Sequence, residues 1–217
     1  MIKAVIFDLD GVLVSTDELH YKAWKQLAED LGITKFTKED NKLQKGVSRM
    51  ASLEVVLAKG DKVYTQEEKE EFAERKNNYY KEMLKDLSRE DVLPGAFKTL
   101  EYLHENNILV GVGSVSKNTP LILERTGLDQ YIDKVSCGND ITKSKPDPEV
   151  FFVAADKLGI PATNCLVVED SASGIQAAKA AGMASLGVGP EHNQLGADNN
   201  AISLDSMIDW NELLQME

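Results

Sequence analysis

The stretch Ala4-Val5-Ile6-Phe7 is apolar at consecutive positions and stops at Asp8-Leu9-Asp10-Gly11. A strand with one wet face alternates polar and apolar residues. A strand without that alternation has both faces covered, as in parallel sheets flanked by helices. Runs of the same kind recur at 109–113, 166–168 and 184–188. Helical patterns lie between them at 96–105, 120–126, 148–158 and 171–181, with Pro120 and Pro148 at two starts and Gly127, Gly159 and Gly182 just past three ends. Proline at the start and glycine past the end are helix punctuation. The alternation predicts an α/β fold, a doubly wound parallel sheet with helices on both faces.

Between about residues 16 and 83 the alternation lapses into successive helical patterns at 17–31, 38–43, 49–57 and 66–84. The expected organisation is an α/β core of residues 1–15 and 84–217 with an inserted helical cap domain, 16–83. Open α/β sheets bind ligands at the carboxyl ends of their strands, so the insertion would roof that edge. Thr16 and residues 85–89 are the two crossings, where hinge closure would exclude water.

The chain's 217 residues carry 24 Lys and Arg against 36 Asp and Glu, a formal net charge of -12. Such a surface repels nucleic acid and anionic membranes. With 42% hydrophobic and 28% charged residues, the acidity is not that of a disordered tail. Cys137 and Cys165 are too few for a disulfide framework or a zinc site, and read as buried thiols in a reducing compartment. The longest apolar run, 108–115, falls far short of the roughly 20 residues that span a bilayer. Asp8 and Asp10 interrupt the region where a signal peptide would be apolar. A cytoplasmic protein is expected.

In extended geometry Asp8 and Asp10 share one face, with Leu9 turned the other way. Two such carboxylates suit a hard-oxygen metal site, or a division between a nucleophile and an acid/base. Asp-x-Asp-Gly is also a turn signature. The company it keeps favours chemistry: Ser114, Lys145 and Glu169-Asp170 stand at the ends of later predicted strands, where parallel strands deliver residues to one shared edge. Singly, Ser114 reads as a helix N-cap, Lys145 as a solvated loop cation and Asp170 as another cap. Together they supply the nucleophile, hydroxyl, ammonium and acidic metal ligands that phosphoryl transfer uses.

The ordered set Asp8-Leu9-Asp10-Gly11-Val12, Ser114, Lys145-Pro146 and Glu169-Asp170-Ser171 resembles the four motifs of the haloacid dehalogenase superfamily of phosphotransferases, across essentially the whole chain. The stretches Lys45-Gly46-Val47-Ser48-Arg49, Arg75-Lys76-Asn77 and Ser114-Val115-Ser116-Lys117-Asn118 are similar to the substrate-binding elements of that family's mutases of β-glucose 1-phosphate. The resemblance implies a Rossmann-like core and ping-pong transfer through an aspartyl-phosphate. It makes Asp8 the nucleophile and a Mg²⁺ ligand, and Asp10 the acid/base, its backbone carbonyl on the metal. Ser114 and Lys145 would grip the moving phosphoryl group, and Asp170 with Glu169 would complete the Mg²⁺ shell.

For substrate binding, the resemblance implies Lys45, the backbone at Gly46 and Val47, and Arg49, whose fork suits a second, non-transferring phosphate. Ser116, Lys117 and Asn118 precede the helix predicted at 120, whose N–H groups favour an anion. His20 and Lys76 would orient Asp10. Lys45 and Arg49 read without the resemblance as a solvated helix start, and Trp24 reads as cap packing. His104, His192 and Trp210 carry no signal. One departure is Ser15, where the family commonly has an aspartate; it touches hinge positioning more than the chemistry.

The resemblance thus implies a Mg²⁺-dependent isomerase, transiently a phosphoprotein, that converts β-glucose 1-phosphate to glucose 6-phosphate through a bisphosphate. The partner is a small phosphorylated sugar, with the protein a monomer and neither nucleic acid nor membrane involved. The rival is a phosphatase of the same superfamily, in which water replaces the sugar hydroxyl. A phospho-acceptor receiver module also clusters aspartates and a lysine on a parallel sheet, but it lacks this length, a helical insertion and an acid such as Asp10.

Overall fold

The computed structural model describes residues 1–215; Met216 and Glu217, the end of the expected 84–217 segment, lie outside the described residues. The first strand, β1 (Ala4–Phe7), is buried at every position. Val5 and Phe7 enter one apolar cluster and Ala4 and Ile6 another, on the opposite face of the sheet. Two-sided burial is why this run shows no polar alternation.

Four helices then intervene: α1 (Asp17–Asp30), α2 (Lys38–Lys42), α3 (Arg49–Leu57) and α4 (Gln66–Met83). From there helix and strand alternate: α5 (Ala96–Glu105), β2 (Leu109–Gly113), α6 (Thr119–Thr126), β3 (Lys134–Ser136), α7 (Glu149–Leu158), β4 (Cys165–Glu169), α8 (Ala172–Ala180), β5 (Ala184–Gly187), β6 (Asn199–Asn200) and α9 (Trp210–Leu214). The strands form one parallel sheet in the order β3-β2-β1-β4-β5-β6. Leu100, Leu103, Ile122 and Leu123 cover one face; Val150, Phe151, Ala154, Ala177 and Ala178 cover the other. The expected doubly wound α/β architecture is the one observed.

Register positions the site. Phe7 pairs with both Val112 and Val168, so β1, β2 and β4 end within one residue of one another and each delivers its next residues to the same edge. The strand order reverses at β1, between β2 and β4, and such switch points are where these sheets bind ligands.

Helices α1, α3 and α4 gather their own apolar cluster, including Trp24, Leu27, Leu53, Val56 and Phe72, with Phe36 beside them. Thr65 opens α4 with a capping box, its hydroxyl accepting from Glu68 N–H while the Glu68 carboxylate takes Thr65 N–H. Burial of a Leu or Phe of this kind contributes roughly 1.5–3 kcal/mol. At the other end of the module Ala23, Tyr80 and Leu84 belong to the sheet's cluster instead. Strands β3 and β6 and helix α9 are not foreseen from sequence. The first is three residues at the sheet edge, the second two asparagines, and Trp210 is tied in by the closing contact of Ile2 N–H to Leu214 O at 2.9 Å.

Candidate active site

Asp8 sits one residue beyond β1, its N–H still donating to Val168 O at 2.9 Å, so its position is fixed by the sheet ladder. Leu9 is fully buried in the sheet's cluster, while Asp8 and Asp10 both face a cleft of about 590 Å³. The chain then turns tightly, with the N–H groups of Leu13 and Val14 donating back to Leu9 O. Gly11 makes the turn with φ of 84°, and a Cβ there would overlap the Asp170 carboxylate. Glycine is therefore required twice at this position, by backbone and by space.

Lys145 comes up beneath Asp8 with its ammonium 2.5 Å from Asp8 Oδ1 and 2.6 Å from Glu169 Oε1. Burial by itself would lower this lysine, but the two carboxylates outweigh it and hold the ammonium above its ordinary value. Of the site residues expected from sequence, only Lys145 is not a wall of the cleft; its side chain is fully buried and touches Asp8 from behind. Glu169 has both oxygens engaged: Oε2 accepts from Ser171 N–H at 2.7 Å and Ser171 Oγ–H at 2.9 Å. It thus brackets Lys145 more than it faces a metal. Ser171 in turn caps α8, its hydroxyl accepting from Gly174 N–H.

The loop after β2 brings in the neutral donors. Ser114 is buried and its Oγ accepts from Ser116 N–H at 3.2 Å; Ser116 Oγ accepts from Asn118 N–H at the same distance. Ser116, Lys117 and Asn118 line the cleft beside the N-terminus of α6.

From the helical module, Lys45 places its ammonium 2.8 Å from Asp170 Oδ2 and 3.1 Å from Asp17 Oδ2. Gly46, with φ of 71°, packs where a Cβ would overlap Ser173 Oγ, and Val47 lines the cleft beside it. Arg49 Nη2 donates to Asn77 Oδ1 at 3.0 Å. Lys76 donates to His20 Nδ1 at 3.0 Å and lies 4.6 Å from the centroids of both the Trp24 and Tyr80 rings. His20 is held well below its usual value by burial, then by Lys76 and Arg49, so it is a neutral acceptor. Burial and then Arg49 push Lys76 down to about 7.

Burial, then Asp17 and Asp170, push Asp10 up to about 7. Its Oδ1 is buried and has no hydrogen-bond partner among the described residues. A carboxyl so poised exchanges a proton near neutrality. Asp17 and Ser173 are residues the sequence reading left without a role, and Asn77 entered it only within the stretch Arg75-Lys76-Asn77. Nothing local marks Asp17 and Asn77, because each bonds to a residue 28 positions away.

The donor set suits a small hard cation. Burial raises Asp8 well above its usual value and Glu169, Asp10 and Asp170 raise it further, against Lys145; burial and Glu169 raise Asp170 to about 6. Carboxylates crowded this far upward gain from a divalent ion among them. No three His, Cys, Asp or Glu side chains among the described residues form a ligand cage. Mg²⁺ needs none, since it keeps several waters and takes one or two carboxylates.

Both cysteines are free and buried. Among the described residues no helix is long and apolar enough to cross a membrane. Ser15 is exposed, and its N–H donates to Asp91 O at 3.0 Å, tying the first crossing to the second.

Comparison with known proteins agrees with this geometry. The chain is 42% identical over 198 residues to a protein named beta-phosphoglucomutase from Bacillus subtilis (strain 168), a match covering 90% of this chain and 87% of that one. It is 29% identical over 183 residues to the phosphorylated carbohydrates phosphatase of Thermotoga maritima, covering 83% and 82%. The crystal structure of a beta-phosphoglucomutase from Clostridium difficile superposes with a TM-score of 0.92 at 37% identity, covering 98% of this chain and 96% of that one. Residues 5–188 match the family described as haloacid dehalogenase-like hydrolase. With sheet topology, motif residues and family match in agreement, the chain belongs to the haloacid dehalogenase-like hydrolases.

Proposed function

We propose that the protein is a Mg²⁺-dependent phosphoglucomutase that interconverts β-glucose 1-phosphate and glucose 6-phosphate, acting as a cytoplasmic monomer. Residues 16–83 serve as the cap domain over a core of 1–15 and 84–217. The observation that carries the reading is a cleft with two anion sites. One we assign to Asp8 and Ser114, with Lys145 bonded to Asp8 behind the wall; the other we assign to Arg49 with Ser116, Lys117 and Asn118. A substrate with a phosphate at each end fills both, and the 42% identity to the Bacillus subtilis protein supports the same reading.

In the first half-reaction the phosphorylated Asp8 gives its phosphoryl group to the C6 hydroxyl of β-glucose 1-phosphate. Asp10, as carboxylate, takes that hydroxyl's proton as the new P–O bond forms and the acyl-phosphate bond breaks. The glucose 1,6-bisphosphate turns over in the cleft. Asp8 then attacks the phosphorus at C1, and Asp10 returns its proton to the departing sugar oxygen, leaving glucose 6-phosphate. Ser114 holds the phosphoryl oxygens, and Lys145 supplies its charge from behind Asp8, as a point charge kept cationic by Asp8 and Glu169. His20 and Lys76 position Asp10. Asp8, Asp170 and the Asp10 carbonyl, with Glu169 adjoining, would hold Mg²⁺, which would supply positive charge to those oxygens.

The phosphatase reading draws support from the Thermotoga maritima relative, named for hydrolysis of phosphorylated carbohydrates. A coupled assay for glucose 6-phosphate, run with Mg²⁺ and a trace of the bisphosphate beside a phosphate-release assay, separates the two. Isomerisation well in excess of phosphate release is expected. Phosphate release without isomerisation replaces the mutase by the phosphatase.

A further inference from the structure

Asn77 lies on α4 next to Lys76 and is 4% exposed. Its Oδ1 accepts from Arg49 Nη2 at 3.0 Å and from Asn118 Nδ2 at 3.0 Å. A carbonyl oxygen has two lone pairs, and here both are taken. That one atom therefore joins α3 and α4 of the helical module to the start of α6 on the sheet. Arg49's other protein partner, Glu74, is 3.5 Å away with a side chain 58% exposed, too long and too wet to hold the guanidinium.

We propose that Asn77 is a positioning residue that registers the two halves of the second anion site. It aims Arg49 at the non-transferring phosphate and ties that aim to the docking of the module on Asn118. The inference rests on the two-phosphate reading above. The chemistry of the amide is the reason for asparagine at this place. A neutral acceptor orients a guanidinium fork without cancelling its charge, so the charge stays available for the ligand. A carboxylate in the same place would accept from both donors equally well but would become Arg49's counter-ion. A fork turned away from the phosphate loses its paired hydrogen bonds, and the part of the site on α6 cannot replace them.

The test uses the Mg²⁺-loaded enzyme with Asn77→Ala and Asn77→Asp, assayed on β-glucose 1-phosphate with the bisphosphate and on acetyl phosphate, which has no second phosphate. Asn77→Ala is expected to raise KM for the sugar phosphate about tenfold with little change in kcat, and its loss in kcat/KM to exceed that for acetyl phosphate by about the same factor. Asn77→Asp retains both hydrogen bonds, so it is expected to melt near the wild-type temperature while raising that KM at least as much. Combining Asn77→Ala with Arg49→Ala should cost less than the product of the separate losses. Equal losses on both substrates, a wild-type KM in Asn77→Asp, or multiplicative losses in the double variant would overturn the proposal. Should the wild type release phosphate without isomerising, the mutase reading fails. The same ratio is then read on glucose 1,6-bisphosphate against acetyl phosphate by phosphate release, and it judges Asn77 separately.

Discussion

Lys45 reaches from the helical module to the sheet edge and sets its ammonium 2.8 Å from Asp170 Oδ2, the carboxylate proposed to hold Mg²⁺. Burial alone would lower this lysine, but Asp170 and Asp17 together hold it above its ordinary value, so it stays charged. An ammonium and a divalent ion compete for the same oxygen. Lys45→Met is therefore expected to tighten Mg²⁺ binding to the substrate-free protein about three- to tenfold, read by titration calorimetry. Unchanged or weaker binding would remove Lys45 as the competitor.

Among the described residues Lys145 is the only cation in contact with Asp8 and Glu169, and its side chain has no exposure. Removing one partner of a buried pair leaves uncompensated charge, at about 3–5 kcal/mol. Lys145→Met should lower Tm of the metal-free protein by roughly 10 °C. Added Mg²⁺ should recover part of that loss by restoring positive charge. A Tm within about 2 °C of wild type would contradict the pairing.

Asp10, near 7, must carry its proton to release the sugar oxygen. Transfer from the bisphosphate to Asp8, measured in a single turnover, should slow as pH rises past neutrality. Burial raises Asp10 most, and Asp17 is the leading charge that raises it further. Asp17→Asn therefore lowers the Asp10 value, and the alkaline limb should move to lower pH. A limb that stays in place would assign the acid elsewhere.

Lys76 is depressed from 10.5 to about 7 in the folded protein. Between those values the unfolded chain binds the proton that the folded chain has lost, so this group makes stability rise with pH over that window. Below about 7 its full cost is present, and above 10.5 it is gone. Lys76→Met should raise Tm at pH 7 by several degrees, with the gain shrinking toward pH 10, while slowing turnover. A lower Tm at pH 7 would show that the contacts with Trp24, Tyr80 and His20 outweigh the burial.

The fold was readable where burial itself dictated composition. Ala4–Phe7 and Leu109–Gly113 are apolar because both faces of those strands are covered, and α5 begins and ends where glycine and the 3.6-residue period place it. Lys134–Ser136 escaped because an edge strand takes its conformation from its neighbour, pairing through Lys134 with Gly111, and its own side chains need not be apolar. Asp8, Ser114 and Asp170 were readable because strand ends put them together, whereas Lys145, expected at a strand end, sits in the loop between β3 and α7. The contacts of Asn77 and Asp17 were not readable, since they are made with atoms that only folding brings near. Nor does the sequence show that Lys145 approaches Asp8 from behind the cleft wall.

The helical module meets the rest of the chain in two chemically different ways. Its base is sunk in hydrocarbon through Ala23, Tyr80 and Leu84, while its far lip is held by the polar pairs Lys45–Asp170 and Asn77–Asn118. Parting polar pairs trades them for water, whereas lifting the base would expose apolar surface. A swing about the base therefore uncovers little hydrocarbon. Calorimetry of sugar-phosphate binding should then show a heat-capacity change far smaller than a closure burying a fresh apolar interface would give.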